Sequence, residues 1–487
     1  MEVRDYTQFD ATGLKELIDK GDVTAEEVRT AAMAALEEVQ PRLNALVAPP
    51  FEQPVAGAAD GPFAGVPFVI KDLVCSAEGV AQESGSRLFA GYVADHDSTL
   101  MGRFKRAGLS TLGRTATPEL GFNANTAPIV NGPTRNPWNL DHIPGGSSGG
   151  SSALVAARAV PVAHANDGGG SIRIPASCTG LVGLKPSRGR VPLGPDIDEA
   201  LNGLAVEFAV TRTVRDAARL LDAVAGPSTG DKYTVRNPER PYADEVGADP
   251  GQLRVALSTT SPWGRPVDPE VAAVVEDVGR RLESAGHTVD EAAPPLEVEA
   301  FLAANVAIWS WFTAVFAYGF GSAIGRQPGP DNLETATWAC VEHGGQVTGM
   351  ELAQAFAVQN LVTRGFGAFL DRYDLYLSPV LPVPPLPVGS LDQNGPDFIT
   401  AAGWCDHVFA EIPFTAQFNF TGQPSMSLPL GMSSSGLPIG VMISAASLRE
   451  DLLIRVAAHL EHDMPWANRH PSVCAGAAAA GPQIVNQ

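Results

Sequence analysis

The sequence has few cysteines, and their arrangement suggests neither a disulfide framework nor a metal site. Only five occur among 487 residues: Cys75, Cys178, Cys340, Cys405 and Cys474. Their number is odd, and no CxxC or Cys/His pair has the spacing of zinc ligands. The sequence therefore predicts free thiols in a reducing compartment, the cytoplasm, and no metal.

Basic residues, long apolar runs and nucleotide-binding loops are also scarce. The 33 lysines and arginines stand against 54 acidic residues, for a formal net charge of −21. An acidic surface repels phosphate backbones and anionic lipid, so neither nucleic acid nor a membrane surface is expected as a partner. No run approaches about 18 uninterrupted apolar residues, and no secretory signal is recognised, so no membrane span is expected. Neither GxxxxGK[ST] nor GxGxxG occurs, so the sequence does not indicate a nucleotide site.

What the sequence does contain is a large apolar fraction with strand and helix patterns in alternation. Hydrophobic residues make up 45% of the chain. Apolar runs predict strands at 64–70, 109–113, 161–165, 180–184, 253–257, 287–289, 375–377 and 438–444. Helical patterns lie between many of these predicted strands, and residues 297–372 are predicted to be mostly helical. This alternation indicates a mixed or parallel sheet with helices on both faces.

One helix has clear boundary signals. Thr24 and Glu27 form a capping box, and apolar residues from Val28 to Val39 repeat on one helical face. Pro41 is expected to end this helix.

Two loops rich in glycine and serine carry the strongest chemical signal. GGSSGG spans 145–150 and precedes a helix of small residues, and the run Asp167-Gly168-Gly169-Gly170-Ser171 follows a strand. Three consecutive glycines allow several backbone N–H groups to converge, as in an oxyanion hole, and a serine directly after them is placed to attack a carbonyl. The alternative is a flexible turn at a helix start, or an anion site.

A serine nucleophile needs a base, and two residues are candidates. Lys71 ends the apolar run GVPFVIK, and desolvation would lower the pKa of its amine enough to accept a proton near pH 7. His164 is close to Ser171 in the sequence but lies several residues back from the loop tip, where packing is its commoner role. The alternative for Lys71 is a structural role, in which its amine reaches solvent from the end of a strand.

Three blocks of the sequence resemble the amidase signature family. They are GVPFVIKDL, GGSSGGSSALVAA and NDGGGSIRIPASCTGLVGLKPSRGRV. The resemblance implies a Ser–Ser–Lys triad in which Ser171 is the nucleophile, Ser147 the bridging serine and Lys71 the base. It also implies a cis peptide bond before Ser147. The form PVAHANDGGGSIRIPAS is most similar to the bacterial branch of the family that includes 6-aminohexanoate cyclic dimer hydrolase.

The resemblance also implies a domain organisation. It implies one large α/β/α domain, with a central mixed β-sheet, over residues 1–472. Within it we expect N-terminal helices at 1–60, a catalytic core at 61–225 and a helical, pocket-forming region at about 297–372. Residues 473–487, of low complexity, are expected to form a flexible tail.

Further site residues follow from the same resemblance. Gly168, Gly169 and Gly170 would form the oxyanion hole, while Asp167 and Arg173 would brace the nucleophile loop. The family commonly has threonine or isoleucine at the position of Gly168, so its missing side chain is expected to loosen this loop or widen the acyl pocket. Substrate-binding candidates are Gly121, Phe122, Asn123 and Trp309, although Trp309 has core packing as its alternative role.

These features together predict an amidase that hydrolyses a small linear or cyclic non-peptide amide through an acyl-enzyme on Ser171, without a cofactor. Ester or carbamate side activity is consistent with this chemistry. The resemblance also implies a homodimer. Two alternatives remain: the amidase subunit of a tRNA-dependent amidotransferase, and a catalytically silent anion-binding protein.

Overall fold

Helices and strands alternate along most of the chain in the computed structural model, which describes residues 1–396 and 399–477. Within these ranges the α-helices are α1 (Val3–Tyr6), α2 (Ala11–Lys20), α3 (Ala25–Leu43), α4 (Thr99–Ala107), α5 (Gly149–Ala156), α6 (Arg173–Thr179), α7 (Val214–Val224), α8 (Pro269–Ser284), α9 (Val298–Ala323), α10 (Thr335–Gly344), α11 (Gly349–Leu370), α12 (Ala401–Glu411), α13 (Ala416–Thr421) and α14 (Glu450–Asp463). The β-strands are β1 (Pro67–Lys71), β2 (Ser110–Thr115), β3 (Val162–Asp167), β4 (Val182–Lys185), β5 (Val206–Thr211), β6 (Arg254–Leu257), β7 (Thr288–Glu291), β8 (Leu375–Pro379), β9 (Ser425–Met432) and β10 (Pro438–Ser444).

Eight of these strands form one mixed sheet, in the order β3-β5-β4-β9-β10-β8-β6-β7. The pairs from β3 to β8 are antiparallel, whereas β6 pairs in parallel with both β8 and β7. The remaining strands, β1 and β2, form a separate parallel pair. The fold is therefore the mixed α/β arrangement that the sequence predicts.

The sheet separates two hydrophobic clusters. Leu375 and Leu377 of β8 belong to the cluster that contains the N-terminal helices. Tyr376, between them, belongs to the cluster that contains α9 to α13. Because successive residues of a strand face opposite sides, the two clusters lie on opposite faces of the sheet. The chain thus forms three layers, with helices on both faces of the sheet.

Several boundaries differ from the sequence-based expectations. The capping box at Thr24 is present, but α3 continues through Pro41 and ends at Leu43, where Asn44 adopts a left-handed conformation with φ of 50°. Pro41 lies in the last turn, where the helix loses the one hydrogen bond that its missing N–H would make. Strands β5 and β9 and helices α6, α12 and α13 were not expected as separate elements.

The first residues of the predicted C-terminal tail pack against the domain. Val473 and Ala475 are buried, and their N–H groups donate to the carbonyls of Pro137 and Ala157. The boundary at 473 is therefore wrong for residues 473–477, which pack against the domain. The rest of the predicted tail, 478–487, lies outside the described residues.

Helix α9 is long and apolar, although no uninterrupted apolar run marks it in the sequence. By length and composition it could cross a membrane, since an 18-residue window has a mean hydropathy of 1.6, and it is the one such helix in the part of the chain that the structure describes. Half of that window is buried inside the protein, and the core helix of a soluble protein passes the same test. Polar residues such as Asn305 and Ser310 interrupt its apolar run, so counting uninterrupted residues missed it.

Candidate active site

Strand β1 positions Lys71 as its last residue. All five residues of the strand are buried, and Lys71 has no exposed surface. The backbone N–H of Lys71 donates to Nδ1 of His164 (3.2 Å), so Nε2 carries the imidazole proton and donates to Glu207 Oε2 (2.6 Å). His164 thus connects β1 to β3, and its ring contacts the lysine backbone. In this arrangement His164 supports the backbone at the end of β1.

The loop before α5 brings Ser147 to this amine. Lys71 Nζ lies 2.6 Å from Ser147 Oγ, and Ser147 is almost fully buried. The peptide bond between Gly146 and Ser147 is cis, as the family resemblance implied. A side chain at Gly146 would come within 2.6 Å of the backbone nitrogen of Asn125, so only glycine fits here.

Burial changes the protonation of Lys71. Removing the amine from water lowers its pKa from 10.5 to about 7, while the negative charges of Glu207 and Asp167 oppose that shift. A substantial fraction of the amine is therefore neutral at neutral pH. In that form it can accept a proton from Ser147.

Two further residues contact the amine, and the sequence analysis did not assign either of them to the site. Asn166 Oδ1 lies 2.5 Å from Lys71 Nζ, and Ser148 Oγ lies 3.1 Å from it. Asn166 directly precedes Asp167 in the motif, so its position was visible in the sequence. Its contact with a lysine 95 positions away was not.

The turn from β3 into α6 holds Ser171. Gly170 has φ of +140°, a conformation that favours glycine, and a Cβ there would lie 2.5 Å from Thr415 Oγ1. Among the described residues, no acceptor takes a hydrogen bond from the backbone N–H groups of Gly168, Gly169, Gly170 or Ser171. Unpaired amides in a tight turn suit an oxyanion hole.

A buried charge pair supports this turn. The Asp167 carboxylate accepts two hydrogen bonds from Arg173, both 3.0 Å, and one from the N–H of Ile172. Asn419 of α13, which the sequence analysis missed, donates a hydrogen bond of 2.7 Å to the same carboxylate. Burial raises the pKa of Asp167, but the charge and hydrogen bonds of Arg173 outweigh burial and hold it at about 2. Asp167 is therefore ionised and already partnered.

Ser147 and Ser171 line one cavity of about 60 Å³. Within residues 1–396 and 399–477, no direct hydrogen bond joins their two hydroxyls. Asn166, Asp167, Thr313 and Glu207 are the other polar residues of its wall. The apolar and glycine residues of the wall are Leu73, Val74, Leu120, Gly121, Gly168, Ala200, Leu201, Ala205, Trp309, Phe312 and Phe316.

The space left by the missing side chain of Gly168 is occupied. A Cβ on Gly168 would lie 2.8 Å from Leu201 Cδ1 and 3.1 Å from the indole of Trp309. The structure therefore does not show the loosened loop or widened pocket expected from this glycine. Instead, the indole fits against the loop because no side chain is present there.

The other substrate-binding candidates have different positions. Gly121 lines the cavity, and a Cβ on it would lie 3.3 Å from Ser147 Oγ. Phe122 stacks on Trp309, with ring centroids 4.4 Å apart. Asn123 is not part of the cavity wall. Its side chain donates a hydrogen bond of 2.8 Å to the carbonyl of Leu391.

Comparison with known proteins gives the family of this chain. The family model described as Amidase matches residues 27–454. The chain is 40% identical over 483 residues to the 6-aminohexanoate-cyclic-dimer hydrolase of Paenarthrobacter ureafaciens, covering 95% of this chain and 96% of that protein.

Solved structures agree with this relationship. A structure of 6-aminohexanoate cyclic dimer hydrolase superposes with a TM-score of 0.89 at 37% identity, covering 96% of this chain and 99% of that one. A bacterial aryl acylamidase of the amidase signature enzymes superposes with a TM-score of 0.82 at 27% identity, covering 94% and 97%. The protein is a hydrolase of amide C–N bonds other than peptide bonds, and its substrate is a small-molecule amide. It belongs to the amidase signature family.

Proposed function

We propose that Ser171 is the nucleophile of this hydrolase and that Lys71 activates it through Ser147. The observation that carries this proposal is the 2.6 Å contact between Lys71 Nζ and Ser147 Oγ, beside a cavity that Ser171 shares. Neutral Lys71 takes the proton of Ser147, which takes the proton of Ser171 as that oxygen attacks the amide carbonyl.

The remaining steps use the same groups. The unpaired amides of Gly168, Gly169, Gly170 and Ser171 hold the negative oxygen that forms on the carbonyl carbon. When the C–N bond breaks, the proton passes back through Ser147 to the leaving amine. The acyl group then stays on Ser171 until water, activated by the reverse transfer, releases the acid. Ser147 and Ser171 must approach within hydrogen-bond distance when substrate binds, and such contacts commonly tighten in the substrate complex.

The cavity supports a substrate with a neutral, apolar acyl group. Its wall is mainly aliphatic and aromatic, and its two carboxylates already have partners, Arg173 for Asp167 and His164 for Glu207. An unpartnered charge on the acyl group would be costly to bury there. The names of the relatives point to the same class, since one acts on a cyclic dimer of 6-aminohexanoate and another on aryl acylamides. We therefore propose linear or cyclic aliphatic amides and anilides as substrates.

The test is covalent labelling of the purified chain with a fluorophosphonate, with the modified peptide located by mass spectrometry. The label is expected on Ser171, and Ser171→Ala should abolish both labelling and amide hydrolysis. Ser177→Ala is the matched control, because Ser177 lies in α6, is buried and accepts a hydrogen bond from the N–H of Gly440. A Ser171→Ala variant that keeps most of its activity would disprove the assignment of the nucleophile.

The same preparation separates this proposal from an amidotransferase subunit. The chain alone is expected to release amine from simple amides without a partner protein. A panel of linear aliphatic, aryl, cyclic and carbamate substrates, read by amine release, would rank the acyl groups. Hydrolysis that appears only when a partner is added would favour the amidotransferase role.

We also propose a homodimer in a reducing compartment. The support for the dimer is the family resemblance, and the support for the compartment is the set of five free cysteines. Sedimentation of the purified chain should give twice its mass of 50.9 kDa.

A further inference from the structure

Within the described part of the chain, the amine of Lys71 has three polar neighbours, which is the number a neutral amine can satisfy. They are Asn166 Oδ1 at 2.5 Å, Ser147 Oγ at 2.6 Å and Ser148 Oγ at 3.1 Å. A neutral amine has two N–H donors and one lone pair. Lys71 can accept a proton only from the neighbour that faces this lone pair.

Asn166 must take one of the two N–H groups. Its side-chain nitrogen donates to the carbonyl of Leu73 (3.2 Å), so the amide cannot turn that nitrogen towards Lys71 without losing this bond. The atom that faces the amine is therefore Oδ1, which accepts hydrogen bonds and has no proton to give.

Ser148 takes the other N–H group. Its hydroxyl lies 3.2 Å from the backbone carbonyl of Asn166 and donates its proton there. The Ser148 oxygen is then left to accept from Lys71. Both N–H groups are thus used, and the third direction, that of the lone pair, faces Ser147.

We propose that Asn166, assisted by Ser148, is a positioning residue that directs the lone pair of Lys71 at the hydroxyl of Ser147. This inference rests on the proposed function of Lys71 as the base. The proton leaves Ser147 Oγ for Nζ while the proton of Ser171 passes to Ser147. After transfer, the new N–H of the ammonium faces Ser147 alone, so the proton returns by the route it came. The bonds to Asn166 and Ser148 stay in place throughout.

The neutrality of Asn166 is part of this role. The charged groups that act on the amine are Glu207 and Asp167, and each has a cationic or hydrogen-bonding partner, His164 and Arg173 respectively. The next residue of the chain, Asp72, pairs with Arg114 at 2.6 Å. An aspartate at position 166 would add an unpartnered carboxylate in direct contact with Lys71, and this carboxylate would hold the amine protonated.

The experiment measures the rate of fluorophosphonate labelling of Ser171 against pH in three variants, on the full chain. In Asn166→Asp, the pH of half-maximal rate is expected to rise by about 1–3 pH units, with labelling recovered on the alkaline side. In Asn166→Leu, which has a similar size and no acceptor, the maximal rate is expected to fall about tenfold or more. Ser148→Ala, which removes the second acceptor without adding charge, should lower the rate to a smaller extent.

Matched controls distinguish these effects from loss of packing. Ser152→Ala removes a buried hydroxyl of α5 that donates to the carbonyl of Gly149. Asn305→Leu removes a buried amide of α9 that donates to the carbonyl of Phe301. Both controls are expected to keep the wild-type half-maximum and rate within about twofold.

The outcomes also separate this inference from the function on which it rests. An Asn166→Asp profile that matches the wild type in midpoint and maximum would overturn the positioning role. If that variant does not fold, a Ser148→Ala rate equal to that of Ser152→Ala would overturn it instead. Labelling of Ser171 that persists in Lys71→Met would overturn the proposed function itself.

Discussion

At the scale of single residues, the proposed mechanism depends on a lysine that is removed from solvent. Lys71 differs from an ordinary surface lysine in its burial, which lowers the pKa of the amine to about 7. At a lysine in contact with water, an equal lowering of the pKa would require a strong charge nearby. The surroundings of Lys71 therefore determine its chemistry, and two of its direct neighbours, Asn166 and Ser148, are neutral acceptors.

A second residue-scale feature is the fit between Gly168 and Trp309. Gly168→Ala is expected to lower kcat/KM, because its Cβ would lie 2.8 Å from Leu201 Cδ1 and 3.1 Å from the indole. Trp309→Phe removes the indole atoms concerned and should restore part of that loss. A double-mutant cycle on kcat/KM should give a coupling of about 0.5–3 kcal/mol.

The matched control for this cycle is Gly169→Ala. A Cβ on Gly169 would meet only ordinary contacts, the nearest at 3.6 Å from the same indole. Trp309→Phe should therefore not rescue it. Additive effects of Gly168→Ala and Trp309→Phe would show that the two positions are independent.

At the scale of elements, the junction of β3 and α6 is held by one buried ion pair. Asp167→Asn leaves the Arg173 guanidinium buried beside a neutral amide, and should lower the free energy of unfolding by about 3–5 kcal/mol. The comparison is Asp277→Asn, which breaks exposed pairs with Arg280 and Arg281 and should cost less than about 1 kcal/mol. Urea unfolding at pH 7 measures both, and equal losses would contradict the role given to Asp167.

The pKa of Asp167 also gives a pH dependence to this junction. Its folded-state pKa of about 2 is below the ordinary value of 3.8. The ionised carboxylate therefore stabilises the fold above about pH 4, and this contribution is lost as the pH falls towards 2. Between pH 4 and pH 2, the wild type should lose more stability than Asp167→Asn does. Parallel losses would contradict this.

Some features of these elements can be predicted from the sequence, and others cannot. The end of β1 at Lys71 and the two serine loops follow local patterns, since an apolar run and clustered glycines are visible in one segment. The contacts of Asn166 with Lys71 and of Asn419 with Asp167 join segments 95 and 252 positions apart, which no local pattern indicates. Strand β9 is buried along nearly its whole length and lacks the alternation that identifies half-exposed strands.

At the scale of the whole molecule, the dominant property is an excess of negative charge. The formal net charge is −21, and the negative groups repel one another more strongly in the folded chain than in the expanded one. Added sodium chloride screens this repulsion. Raising its concentration from 0.02 to 0.3 M, roughly the range over which the Debye length falls below 10 Å, should therefore raise Tm at pH 8.

Sucrose at matched osmolality is the comparison for that experiment, because it does not screen charge. The exposed ion pairs of the surface also weaken in salt, but pairs of this kind contribute little each. A fall in Tm on adding salt would mean that attractive pairs outweigh the net repulsion.

Titration of the Lys71 amine shows directly whether this group loses its proton near neutral pH. In protein enriched with ¹³C at the lysine ε-carbon, the Lys71 resonance is identified by its absence from Lys71→Met. Lys185 is also buried, with its pKa lowered well below the ordinary value, so this assignment is needed. The Lys71 resonance should titrate with a midpoint of about 7. A midpoint near the ordinary lysine value of 10.5 would contradict the account.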